Sequence, residues 1–588
     1  MSALHSLLLA TIIAWSTKVV ISRILAVRAA IRSLNAPYGG LLVFNPFYSL
    51  ALIAGRMRYP REQNIGSWQS KFTPYARQRS TCVGAVILED AIPIVWFSDA
   101  EAIKYITSES VMFQKDSAAY KPLNFYGMNL VGTEGADWRR HRRISNPAFN
   151  ETGNAFVWKE AIRVANEWFA QIDSRMQGNQ PLVINAREEL LQAALLVISS
   201  AGFGRRASWA EDGPVPPGHT LAFRQAVSSA VEHLHAKVMT PDWFYALSGR
   251  VYVPLVGKVA RDTRIAFEAV RVHMQELVGL ARAWVIEGKV ESNNEAALLR
   301  NLVEANMNAP ETDDGEMGTK TLAEDELLSN TWASNNQRFY WLAMVCFGGI
   351  WNVLLVVNFY SHIYLETTGH TMTFAVGLLA LYPDVQQKLY EEAVKLWPNG
   401  APTNVTESPY KETVPKLSYT IAVIHETLRL FPAVIRLLKL VREDAIIPSY
   451  HFDLSASGTP ENLQHITVPV QAGSQVMVDI RGLHHNPMYW PEPEEFRPER
   501  FIDTESYRWP RDAFLAFSAG PRNCIGQRFA LTEGACILAS LVRNFRLAVP
   551  ERLRGLSVAE QRESLLAWRP WITMQPFNCS VELSRRKI

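Results

Sequence analysis

Apolar residues recur three and four positions apart through most of the middle of the chain. Ala161–Met176, Arg187–Ser199, Ile265–Glu287 and Val385–Leu396 carry this spacing, which predicts helices that each turn one face to a core. Pro415–Phe431 carries it too, and Pro432 stops it. Extended segments are fewer. The Val- and Ile-rich runs His465–Val470 and Gln475–Ile480 read as strands. Polar, Pro- or Gly-rich stretches at 205–219, 305–325 and 453–464 break the chain, and none has the composition of a domain linker. The pattern predicts a fold that is mainly α with a minor β part (α+β). One large domain covers residues 34–588, behind a separate N-terminal helix at 1–33.

That N-terminal helix is apolar. Ala3–Thr17 holds no charge, and Lys18, Arg23, Arg28 and Arg32 follow it. A secretory signal has the opposite order, with positive charge first and a cleavage site after. A basic flank stays cytosolic, so the body of the protein is expected on that side. Fifteen residues are too few to span, but Val19–Val27 extends the run if Lys18 and Arg23 snorkel. A single-pass anchor is the expectation; a helix lying flat on the surface is the alternative. Asn35–Gly40 then reads as a hinge.

Composition narrows the function. Of 588 residues, 48% are apolar and 20% charged, which excludes a disordered or fibrous chain. Lys plus Arg is 59 against 57 for Asp plus Glu, and that balance leaves no electrostatic footprint for nucleic acid. The five cysteines are too few, and too scattered, for a disulfide scaffold or a paired zinc site.

One cysteine stands apart. Phe514–Ala530 reads FLAFSAGPRNCIGQRFA, with Cys524 between Gly520 and Gly526, Phe517 seven residues before it and Arg522 two before. Small residues let backbone N–H groups approach a thiolate, and an aromatic ring keeps water off it. Helix-forming residues from Gln527 to Leu541 put Cys524 at a helix N-terminus, where the dipole favours the thiolate. A lone thiolate suits haem iron, because the porphyrin supplies four other ligands. The bland reading, an ordinary buried cysteine, is kept for Cys82, Cys346, Cys536 and Cys579.

Phe517-x-x-Gly520-x-Arg522-x-Cys524-x-Gly526 resembles the haem-binding signature of the cytochrome P450 family. Other motifs follow in family order. Glu426 and Arg429 stand at i,i+3 on a predicted helix. Phe496–Phe501, reading FRPERF, resembles the segment whose Arg500 joins them in a buried charge cluster. Trp138 and Arg142 form the WxxxR pair that the resemblance sets against a haem propionate, with Arg522 doing likewise. Arg139, Arg140 and Arg143 would face elsewhere, either to solvent or toward an acidic reductase. The resemblance covers residues 70 to 580 and has the style of a fungal microsomal member. It implies the cytochrome P450 fold, with haem b buried between the central and Cys-bearing helices and Cys524 as axial ligand of the iron. It also implies a lipophilic small-molecule substrate and NADPH electrons delivered by a flavoprotein reductase. The chain would be anchored in the endoplasmic reticulum membrane with its catalytic domain cytosolic, oxidising its substrate in secondary metabolism.

One motif departs from the family. Glu366-Thr367 matches the acid–alcohol pair that relays protons to oxygen, but Ile363 and Tyr364 occupy positions where a small residue and Gly are expected. Before them, Phe339–Leu365 runs 27 residues without Asp, Glu, Lys or Arg. A second span there would put Trp138 and Cys524 on opposite sides of a membrane, so it is rejected. Leu327–Thr331 already resembles the start of the central helix, which suggests an insertion near 332–365. A haem-thiolate isomerase or dehydratase, and a haem protein without turnover, are the rival functions. The pocket is expected from Ser117–Val131, Ser228–Phe244, Ala433–Leu438 and Trp571–Phe577.

Overall fold

A computed structural model describes residues 3–43, 45, 64–116, 128–178, 180–209, 214–239, 257–287, 298–308, 321–322, 326, 364–570 and 573–586. The helices used below are α1 (Ala3–Ser33), α2 (Ala100–Ser108), α3 (Gly135–Ser145), α4 (Glu151–Arg175), α5 (Ala186–Ala201), α6 (Tyr364–Leu381), α7 (Ser418–Leu430), α8 (Ile480–His484) and α9 (Gln527–Asn544). The chain divides into two compact units, each assembled from three segments. One takes residues 1–116, 434–495 and 510–524; the other takes 117–433, 496–509 and 525–588. The chain passes between them repeatedly, which is why no single break reads as a linker.

Among the described residues the first unit holds eight strands, β1 (Tyr38–Leu42), β2 (Cys82–Ile87), β3 (Pro93–Phe97), β4 (Phe113–Lys115), β5 (Arg436–Val441), β6 (Ala445–Leu454), β7 (Pro460–Val470) and β8 (Gln475–Asp479). Six form one mixed sheet in the order β1-β2-β3-β8-β5-β4. All of β2 is buried, so it is covered on both faces and reads as a continuous apolar run rather than an alternation. Val27 and Ala30 of α1 pack on Val86 of β2, so the last turns of the predicted anchor belong to this core.

β6 and β7 form an antiparallel hairpin. The break expected at 453–464 shrinks to a turn at 455–459. Glu461 to Gln464 are all exposed, so β7 starts without the alternation that marks a strand. Backbone pairing to β6 makes it extended.

In the second unit α4 begins at Glu151, ten residues before its periodicity is evident. Asn150 caps it, accepting the Gly153 N–H at 2.7 Å. α5 lies close to its predicted bounds, and α6 packs against it. Gly369 makes the approach possible: a Cβ there would lie 2.8 Å from Leu191 Cδ2 and 3.2 Å from its Cα. Large aromatics fill this core with their polar tips satisfied. Trp158 donates to the Ser408 carbonyl at 2.7 Å, and Trp168 to Glu189 Oε2 at 2.6 Å. Residues 182–185, 545–548 and 580–585 complete the unit as a small antiparallel sheet.

Candidate functional site

The cysteine loop closes on itself in the first unit. The Cys524 N–H donates to the Phe517 carbonyl at 2.8 Å. Two left-handed residues make the turn, Ser518 at φ 59° and Gly520 at φ 68°. Only glycine fits at 520, because a Cβ would stand 2.3 Å from the Thr107 carbonyl oxygen in the last turn of α2. Arg522 and Phe517 are half-buried.

Thiol availability singles out the same cysteine. Cys524 is exposed, while Cys82, Cys536 and Cys579 are buried. Burial raises the Cys82 and Cys536 thiols and pushes Cys579 up to about 12, so none of the three ionises readily. Cys346 lies outside the described residues. Gly526 is the N-cap of α9, so Cys524 stands two residues before a helix start, where unpaired N–H groups favour an anionic sulfur. Among the described cysteines, a solvent-facing thiol next to a helix start is the one that fits an axial ligand of haem iron.

In the second unit, Glu426 and Arg429 of α7 pair through two bonds, Nε to Oε2 at 2.7 Å and an Nη to Oε1 at 2.8 Å. Both side chains are fully buried. Arg500 Nε adds a third contact to Glu426 Oε1 at 3.3 Å. Two further groups close the network, and sequence reasoning missed both. The Arg497 backbone N–H donates to Glu426 Oε1 at 2.9 Å, and Tyr507 Oη donates to the Arg500 carbonyl at 3.0 Å. A backbone donor leaves no residue-type signal, so only the fold could reveal it. Burial lowers the Arg500 pKa, partly offset by Glu426. The sequence-predicted cluster therefore assembles as one buried, fully coupled group.

Trp138 and Arg142 lie one turn apart on α3, both half-buried, while Arg139 and Arg143 are exposed. Arg140 does not join the solvent face. It grips Glu326 with two bonds of 2.7 Å and donates to the Thr321 carbonyl at 2.8 Å. Its side chain is 12% exposed and that of Glu326 6%. The carboxylate, 186 residues away, draws it inward.

Thr367 lies in the first turn of α6, half-buried. Thr371 Oγ1 donates back to the Thr367 carbonyl at 2.6 Å, and Thr373 to that of Gly369 at 2.7 Å. Such back-bonding bends helices. His370 is buried on the same helix, and desolvation holds its pKa well below 6.5. Glu366 and Tyr364 are helical in backbone; their side chains, Ile363 and the charge-free stretch before it lie outside the described residues. So do Phe125, Tyr126, Trp243, Phe244 and Trp571 of the expected pocket.

His219, His273 and Glu276 bring their ligand atoms within 4.8 Å of one another. They do not form a metal cradle. The two imidazoles stack at 3.9 Å and 19°, and an ion cannot lie in both ring planes at once. His273 spends Nε2 on the Leu221 carbonyl at 2.9 Å, and its Nδ1 faces the Arg205 guanidinium at 3.1 Å, which repels a cation.

The chain is similar to known proteins along most of its length. The sequence matches the cytochrome P450 family over residues 89–333, 365–456 and 459–569. It is 33% identical over 534 residues to cytochrome P450 monooxygenase 124 of Postia placenta, covering 90% of each chain. A cytochrome P450 monooxygenase of Arthrobotrys oligospora is 26% identical over 77% of this chain and 74% of that one. Among solved structures, the haem domain of cytochrome P450DA aligns with a TM-score of 0.63 and 19% identity, over 94% of this chain and 98% of the other. That likeness shows the fold, and the family match agrees with the exposed Cys524 and the buried Glu426–Arg429–Arg500 cluster: the chain belongs to the cytochrome P450 family, as one of its haem-dependent monooxygenases.

Proposed function

We propose that the protein oxidises a lipophilic small molecule in secondary metabolism, with electrons passed from NADPH by a membrane-bound flavoprotein reductase. The observation that carries this reading is the exposed Cys524 thiol beside a helix N-terminus, in a chain whose other described cysteines are buried. Haem b held through that sulfur would supply the chemistry that transfers one oxygen atom of O2 to substrate. Cys524 would hold the iron and Phe517 would shield the sulfur once haem is bound, with Gly520 giving the turn its room. The Trp138 indole N–H would donate a hydrogen bond to a haem carboxylate, and the guanidinium groups of Arg142 and Arg522 would neutralise the carboxylate charge. Glu366 and Thr367 hold and pass the protons that oxygen reduction consumes. The Glu426–Arg429–Arg500 cluster fixes the polypeptide around them.

α1 anchors the protein in the endoplasmic reticulum membrane with its catalytic part cytosolic. Supporting this, Ala10–Ser33 is the one described helix apolar and long enough to cross, and most of it is exposed. We read residues 332–365 as an insertion, supported by the family match breaking off at 333 and resuming at 365.

The test is a carbon-monoxide difference spectrum of reduced membranes holding this chain, beside Cys524→Ser. A red-shifted Soret band that the substitution removes is expected. Substrate-dependent NADPH consumption with added reductase then separates a monooxygenase from an isomerase, a dehydratase or a haem protein without turnover.

A further inference from the structure

We propose that His484 is a positioning residue for the haem ligand: its Nε2 accepts the Leu515 N–H at 2.8 Å and pins the loop that presents Cys524. The inference rests on the haem-thiolate reading above. The imidazole is fully buried and stacks flat on Phe514, with centroids 5.2 Å apart and planes 10° apart. An accepting Nε2 puts the ring proton on Nδ1.

The base of this contact is rigid. His484 ends α8, a five-residue helix whose cap, Asp479, accepts the Gly482 N–H and the Tyr75 hydroxyl, both at 2.9 Å. Arg481 donates to the Trp68 carbonyl at 2.7 Å, and the Asn486 amide to the Ser98 carbonyl at 3.0 Å. These residues are all buried. His484 thus projects from a braced element.

The far side of the contact is short and closed. Leu515 is buried, and its carbonyl accepts the Ser518 N–H at 2.9 Å. Two residues after Leu515, the Phe517 carbonyl takes the Cys524 N–H. Displacing Leu515 therefore displaces the turn that sets the sulfur. Lys104 and Asp512 also tie the loop to α2, at 2.8 Å, but both are largely exposed, and such a pair contributes little. Losing the imidazole acceptor would leave a buried amide unpaired, so the loop would move to rehydrate it.

The test uses the full-length chain in membranes. His484→Phe keeps the stacked ring and removes the acceptor; His484→Gln restores an acceptor near the Nε2 position. Two quantities are read: the fraction of bound haem giving the red-shifted carbon-monoxide band, and hydrogen exchange across Phe514–Cys524. His484→Phe is expected to lower that fraction at least threefold at equal haem content and to speed Leu515 amide exchange at least tenfold. His484→Gln should recover most of both. Wild-type values of both readouts in His484→Phe overturn the proposal, and so does a His484→Gln as impaired as His484→Phe. If His484→Phe fails to fold, His484→Gln decides: a wild-type band supports the proposal and its loss overturns it. A wild-type chain with no red-shifted band sinks the haem-thiolate reading instead. The exchange comparison still reports whether His484 holds the loop.

Discussion

Gly520 shows how much one missing Cβ can carry. Its left-handed backbone costs another residue about 1–2 kcal/mol, before the clash with the Thr107 carbonyl is counted. Gly520→Ala is therefore expected to lower haem content and the melting temperature together, measured on purified protein. Glu426 is more sensitive still. Glu426→Ala leaves Arg429 buried with its main counter-charge gone, and loss of one partner of a buried pair costs about 3–5 kcal/mol. Denaturant unfolding should show a drop of that order. Next to it, His425 packs against Phe501 and Trp509, and burial pushes its pKa from 6.5 down to about 4. The unfolded chain thus binds a proton here between pH 6.5 and 4 that the folded chain does not. The contribution of this site is full above pH 6.5 and falls as pH drops through that window, by roughly 3 kcal/mol. His425→Phe should flatten the acid limb of a stability–pH profile; an unchanged limb would show that the ring does not govern it.

Among the elements, α1 has two jobs along its length. Residues 10–26 are exposed, whereas Val27 and Ala30 pack on β2. Deleting residues 1–26 is expected to shift the protein from the membrane pellet toward the soluble fraction with little change in stability. Deleting 1–33 should also uncover Val86 and lower stability by about 1–3 kcal/mol. Fractionation and thermal melts of the two truncations check this. The helices were legible where apolar spacing persisted, as in α5 and α7. They were misjudged where a polar first turn hid the start, as in α4. β7 was shortened for a related reason: a strand held by its partner's backbone needs no pattern of its own. The cysteine segment was the most legible as a motif, because its signature residues lie within ten positions of one another, although the reason Gly520 must be glycine is the distant Thr107 carbonyl.

At the scale of the molecule, the stretch between 333 and 365 is the longest internal break in the family match. Removing residues 334–364 should leave a chain that still gives the red-shifted carbon-monoxide band. Loss of the band would mean that the stretch is integral to the fold. Hydropathy marked α1, and the resemblance marked Cys524 and set Glu426 and Arg429 with Arg500, because each motif is a short run of neighbouring residues. Tertiary structure decided the partners. Arg140 turned from a solvent face to Glu326, Arg497 lent a backbone N–H to Glu426, and His484 reached Leu515 across 31 residues. A side chain's partner depends on which distant segments pack beside it, and burial then compels each polar group to find one. Residue order states what each group can donate or accept. The fold determines which groups meet.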